Sequence, residues 1–132
     1  MRIMIDTNVL ISAVYSPHSL PAQVAQVTCK AHTLVLCDYI LEECRMVVMR
    51  KFPQHMVVLE ELLASLDFEL ASSAEPASIA MSDPKDQPIL DAALASAVDI
   101  LITGDKHFSN LELPHLKIMT PAAFLNSGYT SL

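Results

Sequence analysis

Four acidic side chains stand where carboxylates from distant parts of the chain could act together. Asp6 directly follows the apolar run Arg2–Ile5, and Glu43 lies inside a periodic apolar stretch. Asp86 heads an alanine-rich stretch, and Asp105 follows Gly104 after the apolar run 100–103. Carboxylates crowded into a partly desolvated cleft repel one another strongly, and a bound divalent cation relieves that repulsion. Hard oxygen donors of this kind suit Mg²⁺ or Mn²⁺. In such a site one metal can activate water and a second can stabilise the leaving oxygen of a phosphodiester. The reaction such a set would support is phosphodiester hydrolysis.

Whether the four acids meet depends on the elements that carry them. Arg2–Ile5, Thr33–Cys37 and 100–103 are short β-prone runs, as expected of strands buried on both faces. Phe68–Ala71 reads as an edge strand and 116–119 as a last short one. Helices are predicted from Val9 to Tyr15, over Leu20–Ala31 with Pro21 in its first turn, and over 38–52 behind Asp38 as a cap. Further helices are predicted over 54–66, over 86–98, and over 121–126, the last stopped by Gly128. The stretch 72–85 is the longest predicted loop, with 78–81 able to pair briefly. Strands alternating with helices imply a parallel sheet covered on both faces, a three-layer α/β sandwich.

In open parallel sheets the functional crevice lies beyond the carboxyl ends of the strands, where the winding direction reverses. Asp6 and Asp105 both end strands, so they reach the same edge. Glu43, two turns into its helix, and Asp86, at the head of the helix before strand 100–103, can lean over it. Glu43 is preferred to Glu42 because adjacent helical residues differ by about 100°, and Glu43 shares the apolar side with Ile40, Cys44 and Val47. Asp91 falls about 140° around its helix from Asp86 and is expected to be a polar edge residue. Metal-bound hydroxide needs no imidazole, and the 5 histidines show no metal-like pairing. His107 is therefore left out of the site.

Four segments in order resemble the PIN domain: Ile5-Asp6-Thr7-Asn8-Val9-Leu10, Asp38-Tyr39-Ile40-Leu41-Glu42-Glu43, Asp83-Pro84-Lys85-Asp86 leading into the alanine-rich helix, and Leu101-Ile102-Thr103-Gly104-Asp105. Their order and spacing resemble the bacterial branch related to VapC-type toxins, over almost the whole chain. The resemblance implies one PIN-like domain over residues 1–132, with a Rossmann-like parallel sheet of about five strands. It also implies an Mg²⁺- or Mn²⁺-dependent endoribonuclease acting on RNA as the toxin of a toxin-antitoxin pair, with an antitoxin partner and a homodimeric state. Carried over by position, Asp6 is the principal metal ligand, with Glu43, Asp86 and Asp105 completing the catalytic and metal-binding set. Thr7, Asn8 and Thr103 would orient those acids, and Arg45, Arg50, Lys51 and Lys106 are candidates for contact with substrate. The chain departs from many relatives in placing Cys37 at the end of strand two, where a small hydroxyl residue is common.

Composition narrows the classes. The 132 residues suffice for one domain with a real core. A net charge of -7 argues against a broad basic face for nucleic acid, so a nucleic-acid substrate requires bound cations or a basic partner. The 3 cysteines lack disulfide or zinc spacing, no apolar run reaches the roughly 18 residues of a membrane span, and no signal peptide is evident, all of which point to a cytoplasmic protein. A phosphoacceptor receiver module would need an acidic pair after strand one, which Asp6-Thr7-Asn8 lacks; a haloacid-dehalogenase-like phosphatase fails because Asn8 stands where its second Asp is expected. Two bland readings compete with catalysis: Asp6-Thr7-Asn8 as a helix cap, and Asp86 as a capping acid behind Asp83-Pro84 or ahead of Pro88. A catalytically silent PIN module, binding nucleic acid or protein, is the rival at the level of function. The Met46–Met49 segment and Met56 fit core filling or a groove for a partner helix.

Overall fold

The computed structural model describes residues 1–71, 80–81, 83–109 and 111–130. Its strands are β1 (Arg2–Ile5), β2 (Thr33–Cys37), β3 (Phe68–Ala71), β4 (Ile100–Ile102) and β5 (Lys117–Met119). They form one parallel sheet in the order β3-β2-β1-β4-β5. The helices are α1 (Thr7–Tyr15), α2 (Leu20–Ala31), α3 (Asp38–Lys51), α4 (Met56–Ser65), α5 (Gln87–Ala95), α6 (Lys106–Ser109) and α7 (Pro121–Leu125). From β1 the chain winds outward through β2 to β3, then returns through α5 to β4 on the other side of β1 and continues to β5. With the right-handed crossovers that parallel strands take, this order assigns α1 to α4 to one face and α5 and α6 to the other; α1 packs on α2, α3 and α4, and α7 comes back to pack on α2. The result is a three-layer α/β/α sandwich with a Rossmann-like sheet.

Central strands covered on both faces must be apolar at every position. Ile3, Met4, Ile5, Val35, Leu36, Ile100, Leu101 and Ile102 are all fully buried. The winding reverses between β1 and β4, whose register pairs Ile5 with Ile102. Asp6 and Thr103 therefore leave the sheet side by side.

Helix ends show where local sequence differs from the sequence-based expectation. The cap of α3 is Cys37, not Asp38, and it makes no side-chain capping bond. Asp38 is the first helical residue, and its Oδ1 accepts from Tyr39 N at 2.8 Å. A 3₁₀ turn, Pro53–His55, precedes α4, which starts at Met56 rather than 54. Helix α5 stops at Ala95 instead of 98. There Ala97 adopts φ 53°, and Val98 N donates to Ala93 O at 3.0 Å and Ala97 N to Leu94 O at 3.3 Å, a Schellman ending with alanine in the left-handed position. The expected loop 72–85 with pairing at 78–81 lies mostly outside the described residues. Among the described residues no helix is long and apolar enough to cross a membrane.

Candidate active site

Asp6 sits where β1 ends, 3% exposed, with its backbone N–H donating to Ile102 O at 3.0 Å. It caps α1, since Oδ1 accepts from Thr7 N at 2.7 Å. The other oxygen, Oδ2, accepts from the Thr103 hydroxyl at 2.7 Å. Capping and site geometry thus coincide in one carboxylate rather than competing. Burial is the chief force raising its pKa; the bonds from Thr103 and Thr7 pull it back, and Glu43 and Asp105 push it up again.

Thr103 links two acids. Its hydroxyl oxygen accepts from Asp105 N at 3.0 Å while its proton goes to Asp6. Asp105 then caps a single helical turn: its Oδ1 accepts from His107 N at 2.8 Å, and α6 follows. That turn was not expected from the sequence, although Gly104-Asp105 followed by polar residues is a signal for it.

Asp86 occupies the cap position of α5, with Pro88 in the first turn, yet its side chain makes no capping bond. The carboxylate, 7% exposed, turns away from the helix, and its Oδ2 lies 3.1 Å from His107 Nδ1. Burial, then the neighbouring Asp105, pushes its pKa up to about 6. Glu43 projects from α3 half-buried and accepts from the Tyr39 hydroxyl at 3.3 Å, whereas Glu42 is exposed. Burial and then Glu43 push Tyr39 up to about 12, with Asp86 and Asp83 adding to it. The Cys44 thiol, pushed up to about 12 by burial and then by Glu43 and Asp6, borders the same region and lies 3.9 Å from Thr7 O.

Asp6 lies within electrostatic reach of Glu43 and Asp105, and Asp86 within reach of Asp105, so the four acids are neighbours beyond the carboxyl ends of β1 and β4. Thr7 is buried with its hydroxyl unpartnered among the described residues, and Asn8 is exposed, its carbonyl accepting from Ser12 Oγ at 2.9 Å. Two residues the sequence reading left out belong to the crevice. His107 Nδ1 lies 3.2 Å from Asp105 Oδ1 and 3.9 Å from Asp83 Oδ2, in addition to Asp86. Asp83, Asp86 and His107 each present one ligand atom within 4.8 Å of the others.

The basic candidates are dispersed. Arg45 is exposed and doubly bonded to Glu60 on α4, through Nε at 2.7 Å and a terminal nitrogen at 3.2 Å. Arg50 and Lys51 end α3, about 10 Å further along the helix than Glu43. Lys106, exposed, adjoins the acids through its position beside Asp105. Asp91 is not at a polar edge: it is 7% exposed, and its Oδ1 accepts from Gln87 Nε2 at 2.8 Å. It lines a cavity of about 300 Å³ with Cys37, Tyr39 and Pro88. Its carboxylate and that of Asp86 engage different partners, as their angular separation requires.

The donor chemistry fits a divalent cation. Converging carboxylate oxygens, with burial and like charge disfavouring ionisation of Asp6 and Asp86, are the arrangement a small hard cation satisfies.

A parallel sheet with an acid cluster beyond β1 and β4, at its switch point, defines the class of protein. The PIN domain family model matches residues 2–107, and the chain belongs to that family. Among solved structures, the fold is similar to VapBC2 from Rickettsia felis, bound to a DNA fragment from its promoter, with TM-score 0.68, 17% identity and coverage of 91% of this chain and 98% of that one. It is similar to DNA-bound VapBC from Salmonella typhimurium, with TM-score 0.69, 15% identity and coverage of 92% and 98%. The T. brucei RRP44 PIN domain matches with TM-score 0.52, 11% identity and coverage of 93% and 78%. A sequence comparison with curated proteins returns no match.

Proposed function

We propose that this PIN domain is an Mg²⁺- or Mn²⁺-dependent endoribonuclease, the toxin of a toxin-antitoxin pair. The observation that carries the reading is the Thr103 bridge between Asp6 and Asp105, with Glu43 within electrostatic reach of Asp6 and Asp86 of Asp105. Family membership and the likeness of the fold to VapBC complexes support it.

Asp6, Asp86, Asp105 and Glu43 would hold the cation, which when bound supplies an activated water and charge neutralisation at a phosphodiester. The chain's own part is orientation. Asp6 is fixed by two donors, so its remaining lone pairs aim in set directions, and Thr103 sets Asp105 relative to it. Tyr39 steadies Glu43. With a net charge of -7, the metal-free crevice repels a phosphate backbone. Cation loading is therefore a precondition for admitting RNA, and Lys85 and Lys106 are the basic groups adjacent in the chain to the acids, beside Asp86 and Asp105. Arg45 can reach a phosphate only by giving up Glu60. An antitoxin, a homodimeric state and a cytoplasmic setting go with this reading.

The test is Mn²⁺-dependent cleavage of structured and single-stranded RNA by the wild type and Asp6→Asn. The wild type is expected to cleave and the variant to lose cleavage. Equal activity in the two proteins overturns the mechanism.

A further inference from the structure

The imidazole of His107 has no role in a site built from carboxylates alone, yet it stands among three of them. Its Nδ1 faces Asp86 Oδ2 at 3.1 Å, Asp105 Oδ1 at 3.2 Å and Asp83 Oδ2 at 3.9 Å. Its backbone is fixed, because His107 N donates to Asp105 Oδ1 at 2.8 Å. Asp83 is turned toward it as well: Oδ1 is taken by Lys85 N at 3.0 Å, which leaves Oδ2 on the imidazole side. Asp86 forgoes the capping bond its position offers and points to the same nitrogen. Among the described residues no Lys or Arg forms an ion pair with Asp83, Asp86 or Asp105.

A surface ion pair would account for one such contact, but not for three acids from two separate loops meeting one ring nitrogen. The ring is half exposed, so it can move by the short distance needed to place a cation between itself and the acids. One imidazole nitrogen beside carboxylate oxygens is a mixed donor set. Imidazole suits first-row transition ions, whereas Mg²⁺ takes oxygen and water.

We propose that His107 Nδ1 is a direct ligand of the bound cation, beside Asp83 and Asp86, and that it makes the site select Mn²⁺ over Mg²⁺. This rests on the reading of the crevice as a metal-dependent nuclease site and names the metal chemistry of that same site.

The test loads the intact protein with Mn²⁺ alone and with Mg²⁺ alone. Electron spin echo modulation of the Mn²⁺-loaded protein reads imidazole nitrogen bound to the metal, and calorimetric titration reads both affinities. The wild type is expected to show nitrogen modulation, and His107→Gln to lose it. Because the side chain is exposed, this variant should fold normally. Its Mn²⁺ affinity should fall about tenfold or more while Mg²⁺ affinity changes little. His107→Asp, which substitutes a hard oxygen, should shift the preference toward Mg²⁺. Bound Mn²⁺ without nitrogen modulation, or equal weakening of both metals in His107→Gln, overturns the proposal. Cleavage of RNA is read separately. Nitrogen-bound Mn²⁺ without cleavage sustains the ligand and sinks the nuclease reading; cleavage without nitrogen modulation does the reverse.

Discussion

The Thr103 hydroxyl donates to Asp6 Oδ2 at 2.7 Å across the point where the sheet reverses its winding. Asp6 is 3% exposed, so this bond satisfies an oxygen that water reaches poorly. Thr103→Val keeps the shape and removes the donor, leaving a buried acceptor unpaired at a cost of about 1–3 kcal/mol. It also removes a bond that lowers the Asp6 pKa, so the carboxylate should ionise less readily and bind Mn²⁺ about tenfold more weakly. Denaturant unfolding and Mn²⁺ titration check both effects. Thr103→Ser should restore metal affinity, and a Val variant binding Mn²⁺ as the wild type does would remove Thr103 from the site.

Asp86 makes stability depend on pH with a definite sign. Its carboxyl is raised from 3.8 to about 6 in the folded protein, so between those values the native state holds more protons than the unfolded one. Its stabilising contribution is complete at low pH and is lost as pH rises through about 6. Asp86→Asn stays neutral throughout. In metal-free buffer its melting temperature, relative to the wild type, should climb across this window and level off above it. Added Mn²⁺ should stabilise the wild type and help the variant less. A constant difference between the two proteins from pH 4 to 7 would mean that Asp86 is not strained by burial and Asp105.

The left-handed residue ending α5 offers a stability test remote from the acids. Ala97 holds φ 53°, where its Cβ crowds the backbone and glycine would not. Ala97→Gly should stabilise the protein by about 1 kcal/mol, less the extra entropy of the unfolded chain. Metal affinity should stay unchanged. A loss of stability would show that the methyl group contributes packing that outweighs the strain.

Positions governed by periodicity were legible in the sequence, and those governed by turn chemistry were not. Asp6 and Thr103 could be placed because both end uniformly apolar strands, and a parallel sheet leaves few ways to arrange such strands. His107 was missed because its position depends on one helical turn capped by Asp105, too short to leave a periodic signal. Asp83 enters the sequence reading beside Pro84 in the capping alternative for Asp86, whereas its carboxylate serves a turn on one side and faces His107 on the other. Asp91 is buried rather than at a polar edge, because its angle on the helix says nothing of what packs around it; the start of α3 lines the same cavity. Arg45 looked available for substrate; its engagement by Glu60, on the next helix, depends on how α3 and α4 pack.

The choice between the adjacent acids of α3 is open to a direct comparison. Glu43 is half-buried, is bonded by Tyr39 at 3.3 Å and acts electrostatically on Asp6; Glu42 is exposed. If Glu43 belongs to the cation's surroundings, Glu43→Gln should lower Mn²⁺-dependent RNA cleavage about tenfold or more. It should also bring the Tyr39 pKa down toward the ordinary phenol range, because the carboxylate is the main charge acting on that hydroxyl. Glu42→Gln should do neither. Cleavage rates with ultraviolet titration of the phenol separate the cases: a fallen tyrosine pKa with unchanged cleavage makes Glu43 a neighbour of Tyr39 and nothing more. Equal losses in both variants would trace the effect to the net charge of the helix rather than to one carboxylate.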